Sequence, residues 1–396
     1  MQAIACERIF DGRAFRSGVV LMAGGRIAGL VGRDALPPGT PVRELGEGLL
    51  APGFVDLQVN GGGGVMLNDE PSLETLERMA RAHAGLGATT ILPTLVTDRP
   101  GVAARAVEAV AAAQGRGLPG IEGLHLEGPH LDPARKGAHD AALIRPMTEG
   151  DLAALTAARA RLGTLVVTVA PEAATAQQVA ALAAAGIVVA LGHSGCSYAT
   201  ARLHADAGAR VVTHLFNAMS QLSAREPGLA GAALDDGRLS AGLIADGIHV
   251  HPATIRAALA AKRGPGRIFL VSDAMATAGS DIASFALNGR RITRAGGRLT
   301  LADGTLAGAD LDLARALRLL VGQCGVPLAR ALAMATSVPA AVAGLGRVAG
   351  RLAAGRAADL VHLSPGLHLR SVWQGGAEIP VFAPGGEAGS PGLEIR

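Results

Sequence analysis

Eight short runs of β-branched and aliphatic residues recur along this chain, near 54–60, 89–96, 121–127, 164–170, 187–193, 210–215, 240–246 and 267–273. Each is bounded by Gly, Pro or a polar turn. Runs that are apolar at nearly every position suit strands buried on both faces. Most are followed by an Ala/Leu-rich segment of helical period, at 72–86, 100–114, 149–161, 174–185, 198–207 and 251–262. Ser72 is placed to cap the first of these, with acidic residues in the first turn. Two further helical stretches lie near 310–322 and 327–344. Eight strands alternating with helices predict a (β/α)8 barrel of the TIM type. Residues 216–238, Gly-rich and without a clean helical period, read as a long functional loop after the sixth strand.

The two ends differ from the middle. Short alternating runs such as Gly25-Arg-Ile-Ala-Gly-Leu-Val and Ala358-Asp-Leu-Val-His-Leu predict antiparallel strands. Neither end is long enough to stand alone. Residues 1–50 and 346–396 are therefore expected to meet in one small β-sandwich beside a barrel of 51–345. Net charge is +3, with no Lys/Arg run interleaved with aromatics, which argues against nucleic-acid binding. Cys6, Cys196 and Cys324 are odd in number and far apart, so a disulfide framework is not expected and a reducing cytoplasm is. No segment reads as a signal peptide or a membrane span.

Four residues stand at the ends of four strand-like runs: Glu127, His193, His214 and Asp273. Polar groups at the C-terminal ends of barrel strands are where such folds do chemistry. Catalytic zinc sites use about three protein ligands and leave a position for water. Glu127, His193 and His214 supply a carboxylate and two imidazoles. A divalent ion held there lowers the pKa of a bound water from 15.7 to roughly 7. Asp273 is placed to take the proton of that water and then return it to a leaving group. His125 lies two residues before Glu127, so it shares that strand's inward face one layer deeper. It reads as a supporting or core histidine, with a ligand role left open. Gln58 and Asn60 share an inward face on the first strand, and amides are weak ligands beside imidazole.

The motifs Pro52-Gly-Phe-Val-Asp-Leu-Gln-Val-Asn-Gly-Gly-Gly-Gly64, His125-Leu-Glu-Gly-Pro129, Lys136-Gly-Ala-His139, Leu191-Gly-His-Ser194, Thr213-His-Leu-Phe-Asn-Ala-Met219, Arg225-Glu-Pro-Gly228, Asp246-Gly-Ile-His249, Val271-Ser-Asp-Ala-Met275 and Thr305-Leu-Ala-Gly308 cover most of the chain. Together they resemble the N-acetylglucosamine-6-phosphate deacetylases, a family of the amidohydrolase superfamily. The resemblance implies deacetylation of N-acetylglucosamine 6-phosphate to glucosamine 6-phosphate and acetate. It implies one divalent ion per subunit on Glu127, His193 and His214, with zinc first and iron, manganese or cobalt as alternatives. Asp273 is then the acid/base and His139 the group that polarises the amide carbonyl. His249 meets a sugar hydroxyl. Asn217, Ala218 and Arg225 meet the phosphate, the Arg reaching in from the partner of a homodimer. Leu306 and Ala307 border the substrate.

This chain departs from the family pattern at His130, Gly195-Cys196, Ala309 and Asp312. The galacto epimer of the substrate therefore stays open. So do a related hydrolase for an unphosphorylated amide and an inactive scaffold on the same fold.

Overall fold

The computed structural model describes residues 1–382. Eight parallel strands form one sheet in sequence order: β1 (Val55–Val59), β2 (Thr90–Val96), β3 (Leu124–Glu127), β4 (Leu165–Val169), β5 (Val188–Leu191), β6 (Val211–Val212), β7 (Ser240–Leu243) and β8 (Ile268–Leu270). Nearly every residue in them is buried, as continuous apolar runs require. The segment after β8 closes the barrel against β1. Asp273 N–H donates to Gln58 O at 3.0 Å, and Asn60 N–H to Ala274 O at 2.8 Å. Buried Asp56 clasps the same seam by accepting from the backbone N–H groups of Ser272 and Gln58.

The helices follow the strands: α1 (Leu73–Gly85), α2 (Pro100–Gly115), α3 (Glu149–Arg159), α4 (Ala176–Ala184), α5 (Tyr198–Asp206), α6 (Gly228–Asp235) and α7 (Pro252–Ala261). Ser72 caps α1 by accepting from Thr75 N–H. Thr148 with Asp151, and Thr175 with Gln178, form reciprocal capping boxes. After the barrel come α8 (Leu313–Gly322), α9 (Leu328–Ala335) and α10 (Ser337–Val342). The predicted stretch 327–344 is two helices, broken at Thr336, whose backbone leaves the helical region.

One expectation is corrected. The stretch 216–238 is not all loop, because α6 occupies Gly228–Asp235. Its residues from Gly228 to Leu234 are buried on every side, so no polar face marks a helical period. A Cβ on Gly231 would come within 2.3 Å of Pro227 Cβ. The glycine content thus reflects close packing and not irregular chain.

Both ends contribute to a six-stranded sheet in which Leu49–Pro52 pairs with Leu360–Leu363. A four-stranded sheet of N-terminal segments packs on it. Ile4, Val20 and Met22 from one sheet meet Ile9, Leu50, Leu360 and Trp373 from the other. A second antiparallel unit, outside every sequence expectation, lies between β8 and α8. It is a meander of Ser284–Leu287, Arg290–Ala295, Arg298–Thr300 and Leu306–Ala309. Its inner face, with Leu287, Ile292 and Leu299, packs on Met66, Val96 and Met275 above the barrel mouth.

Candidate active site

A cleft of about 360 Å³ opens at the C-terminal ends of the barrel strands. Glu127 is the last residue of β3, while His193, His214 and Asp273 lie just beyond β5, β6 and β8. The latter three have φ of +47°, +28° and +50°. Residues other than glycine rarely occupy this region, and each such residue costs on the order of 1–3 kcal/mol. Neighbouring backbone holds them there. Asp132 N–H donates to His193 O at 3.0 Å, Asn217 N–H to His214 O at 2.9 Å, and Ala309 N–H to Asp273 O at 2.9 Å.

Three ligand-type atoms converge. His214 Nε2 lies 3.0 Å and His193 Nε2 3.3 Å from Glu127 Oε1. The two Nε2 atoms are 3.0 Å apart. His193 Nδ1 is 2.8 Å from Arg135 O, which can only accept, so Nδ1 carries hydrogen and the neutral ring turns a lone pair from Nε2 toward the carboxylate. That places electron-rich atoms against one another in a buried site. Among the described residues His214 Nδ1, which is buried, has no partner. Ligand atoms about 2.0–2.1 Å from a tetrahedral ion lie about 3.3 Å apart, which is close to the separations seen here. The buried Glu/His/His cluster therefore suits a divalent metal.

A second trio overlaps the first. Glu127, His139 and His193 have ligand atoms within 4.8 Å of one another. His139 Nε2 is 3.7 Å from Glu127 Oε2, so this set is looser than the one containing His214.

The electrostatics follow from burial. Burial alone would raise Glu127, but the His193 and His214 rings against it, when protonated, hold it well below the usual carboxylate range. Burial works against a charged His214, yet Glu127 outweighs it and holds that imidazole above its ordinary value. Burial, and then the Glu127 charge, pushes the Asp273 carboxyl up to about 6. Asn60 Nδ2 donates to Asp273 Oδ1 at 2.7 Å. Gln58 Nε2 lies 3.2 Å from both that oxygen and Glu127 Oε1. The two amides thus turn their N–H groups to the carboxylates and fix how Asp273 sits.

The remaining sequence candidates divide. Asn217, Ala218, His249 and Leu306 line the cleft with the tetrad and His139. Asn217 Nδ2 is already directed to His214 O and Leu215 O. His125 lies a layer below, with Nδ1 3.1 Å from Leu57 O and Nε2 2.8 Å from Thr168 Oγ1, and burial lowers it to about 4. Ala307 is fully buried in the apolar cluster under the meander, and the cleft is lined by its neighbours Leu306 and Gly308. Arg225 sits on an exposed loop outside the cleft of its own chain. Of the departures, His130 faces away, with Nδ1 3.1 Å from Arg145 O, and Asp312 caps α8.

Several contributors escaped the sequence reading. Asp246 accepts from the N–H groups of Ile248 and His249 and lies 2.6 Å from His249 Nδ1, so it aims that ring. Its place three residues before the histidine, in an Asp-Gly turn, was the available signal. Asn288 and Arg290, on the first hairpin of the meander, donate to Thr97 O at 3.2 Å and to Ala138 O at 2.5 Å. The Asn288-Gly289 pair, with φ of +49° and +74°, is a hairpin signature that could have found this unit.

Comparison with known proteins agrees with this geometry. The Amidohydrolase family matches residues 49–385. A Shewanella protein named N-acetylgalactosamine-6-phosphate deacetylase is 42% identical over 85% of this chain and 84% of its own length. A Haemophilus influenzae protein named N-acetylglucosamine-6-phosphate deacetylase is 33% identical over 88% of this chain and 91% of its own. The crystal structure of N-acetylglucosamine-6-phosphate deacetylase from Pasteurella multocida superposes with a TM-score of 0.91 at 31% identity, covering 96% of this chain and 99% of that one. This chain belongs to the amidohydrolase family of metal-dependent hydrolases.

Proposed function

We propose that this enzyme removes acetate from the 2-acetamido group of a 6-phosphorylated amino sugar, N-acetylglucosamine 6-phosphate in the first reading. The observation that carries it is the convergence of Glu127, His193 and His214 beside an Asp273 held by two amides. One divalent ion per subunit, zinc before iron, manganese or cobalt, is held by those three residues and when bound acidifies water and polarises a carbonyl. Gln58 and Asn60 both address Asp273 Oδ1, which leaves Oδ2 to take the proton of the attacking water. Asp273 then delivers that proton to the amide nitrogen as the C–N bond breaks and a C–O bond to acetate has formed. His139 donates to the carbonyl oxygen, and His249, aimed by Asp246, meets a sugar hydroxyl. Asn217 and Ala218 border the phosphate.

Arg225, exposed and outside its own cleft, reaches the phosphate from the second subunit of a homodimer in this reading. Its fork of N–H donors suits a phosphate. All three cysteines are free, which fits a reducing cytoplasm. Among the described residues no helix is long and apolar enough to cross a membrane.

The galacto epimer is a second reading. It is favoured by one observation: relatives named for N-acetylgalactosamine 6-phosphate are 38–42% identical, against 33–35% for relatives named for the gluco sugar such as those from Haemophilus influenzae and Bos taurus. Acetate release from both 6-phosphates and from plain N-acetylglucosamine tests all of this. Turnover is expected with a phosphorylated sugar only. A chelator should abolish it and one equivalent of divalent ion restore it. Equal turnover of the plain sugar, or full activity in metal-stripped protein, would overturn the reading. The ratio of kcat/KM for the two phosphates assigns the epimer.

A further inference from the structure

We propose that Thr97 is a positioning residue that fixes the tautomer of His139, placing its hydrogen on Nε2 so that this histidine works as a hydrogen-bond donor and not as a metal ligand. The proposal deepens the reaction given above and rests on it for the role of His139.

Thr97 follows β2 directly and is buried, as is His139, at 1% and 4% exposure. The backbone N–H of Thr97 donates to His139 Nδ1 at 3.3 Å. The hydroxyl oxygen of Thr97 lies 2.7 Å from the same nitrogen. A main-chain N–H can only donate, so Nδ1 must offer a lone pair. A neutral imidazole has one donor and one acceptor nitrogen, and an imidazolium has two donors. Only the neutral ring with hydrogen on Nε2 meets the contact. The opposite tautomer would have Nδ1–H donate to the Thr97 hydroxyl, which would pass its own hydrogen to Glu127 O at 3.3 Å. That arrangement leaves the buried Thr97 amide unpaired, because its one hydrogen bond among the described residues is to His139. Buried unpaired amides are rare and costly.

The meander keeps the two groups in register. Asn288 Nδ2 donates to Thr97 O, and Arg290 Nη2 to Ala138 O, one residue before His139. Both bonds come from a single hairpin, so the donor and the ring it orders are gripped by one unit. The result is an Nε2–H at the cleft, 3.7 Å from Glu127 Oε2. An N–H there can stabilise negative charge that develops on a carbonyl oxygen. It has no lone pair for an ion. Of the two overlapping trios, the one with His214 is therefore the ligand set.

The test uses zinc-loaded protein labelled with ¹⁵N-histidine. Long-range proton–nitrogen correlation reports which nitrogen of each ring carries hydrogen, and His139→Gln identifies the resonance in question. Hydrogen on Nε2 of His139 is expected. Thr97→Val replaces the hydroxyl by a methyl. It should lower kcat about 10–100-fold, as loss of an outer partner of a site histidine does. KM should stay within about threefold, zinc content should hold at the parent's value, and Thr97→Ser should restore most of kcat. Hydrogen on Nδ1 in the parent overturns the proposal, and so does a Thr97→Val enzyme with parental kcat. If Thr97→Val does not fold, the parental spectrum still decides. A parent that releases no acetate from amino-sugar phosphates would instead count against the proposed substrate, and the spectrum would be unaffected.

Discussion

Two pairs of buried histidines in this chain are finished in opposite ways. His125 has a carbonyl at Nδ1 and the Thr168 hydroxyl at Nε2, and that hydroxyl continues to Thr213 Oγ1 at 2.8 Å. His83, on α1, has Nε2 2.8 Å from Gly61 O. Burial pushes both down to about 4, so at neutral pH they are uncharged and bonded to protein. His193 and His214 are as buried, yet their Nε2 atoms face each other and Glu127, and among the described residues His214 Nδ1 has no partner. In the first pair both nitrogens of His125, and Nε2 of His83, meet protein partners. The second is left with contacts that only a proton or a cation resolves, on backbone held in an unfavoured region. Burial of a histidine therefore says little about its role. What its nitrogens meet says a great deal.

The sharpest way to break that contrast is through Asp273, the carboxylate that the unfinished pair serves. Asp273→Asn keeps shape and removes proton transfer. General acid–base catalysis is worth about 10²–10⁴-fold, and in the proposed reaction this residue acts twice, so kcat should fall to the upper end or beyond. Metal content should change little, because in the proposed reaction the ion is held by Glu127, His193 and His214. An Asp273→Asn enzyme with a tenth of the parental kcat would refute the role.

The sequence exposes the two pairs unequally. The barrel is legible because its strands are buried on both faces, which leaves unbroken apolar runs. The rim residues are legible because each stands where such a run stops. His125 shares a face with Glu127, so period alone places it near the site and cannot say whether its nitrogens are satisfied. α6 was not legible, because tight packing selects Gly228 and Gly231 over helix formers. The meander was hidden by its alternation of exposed arginines with single apolar residues, although Asn288-Gly289 and Gly296-Gly297 mark its turns. Thr97 gave no signal, since its partner is 42 residues away and a tautomer has no periodicity.

A smaller effect is expected at Arg225, which touches neither histidine pair. Arg225→Ala should weaken the preference for phosphorylated over plain sugar. A charge-assisted contact contributes about 1.5–3 kcal/mol, or roughly 10–150-fold in the ratio of kcat/KM. Equal losses with both substrates would make the residue structural. Mixing Arg225→Ala with Asp273→Asn protein adds a test of sharing. If the Arg is supplied across a dimer, verified subunit exchange restores a parental site, and no recovery would count against it.

The remaining effect belongs to the other pair and is read in stability and not in turnover, through His83. Its folded pKa of about 4 lies below the 6.5 of an unperturbed histidine because burial disfavours the charged ring. Between those values the unfolded chain binds a proton that the folded chain refuses. Stability from this group is thus fully present above pH 6.5 and is lost as pH falls toward 4. Integrated from pH 8 to pH 5, the loss is about 2 kcal/mol for one such histidine. His83→Gln keeps a donor for Gly61 O and cannot titrate. Its stability relative to the parent, from urea unfolding at the two pH values, should therefore improve by about 2 kcal/mol on acidification. Taking the difference cancels the other titrating groups, among them Asp56, which burial pushes up to about 7 and which acts in the opposite direction. Parallel pH curves for parent and variant would mean that His83 is already protonated in the fold or reached by water. The contrast between finished and unfinished histidines would then fail on the side where it is simplest.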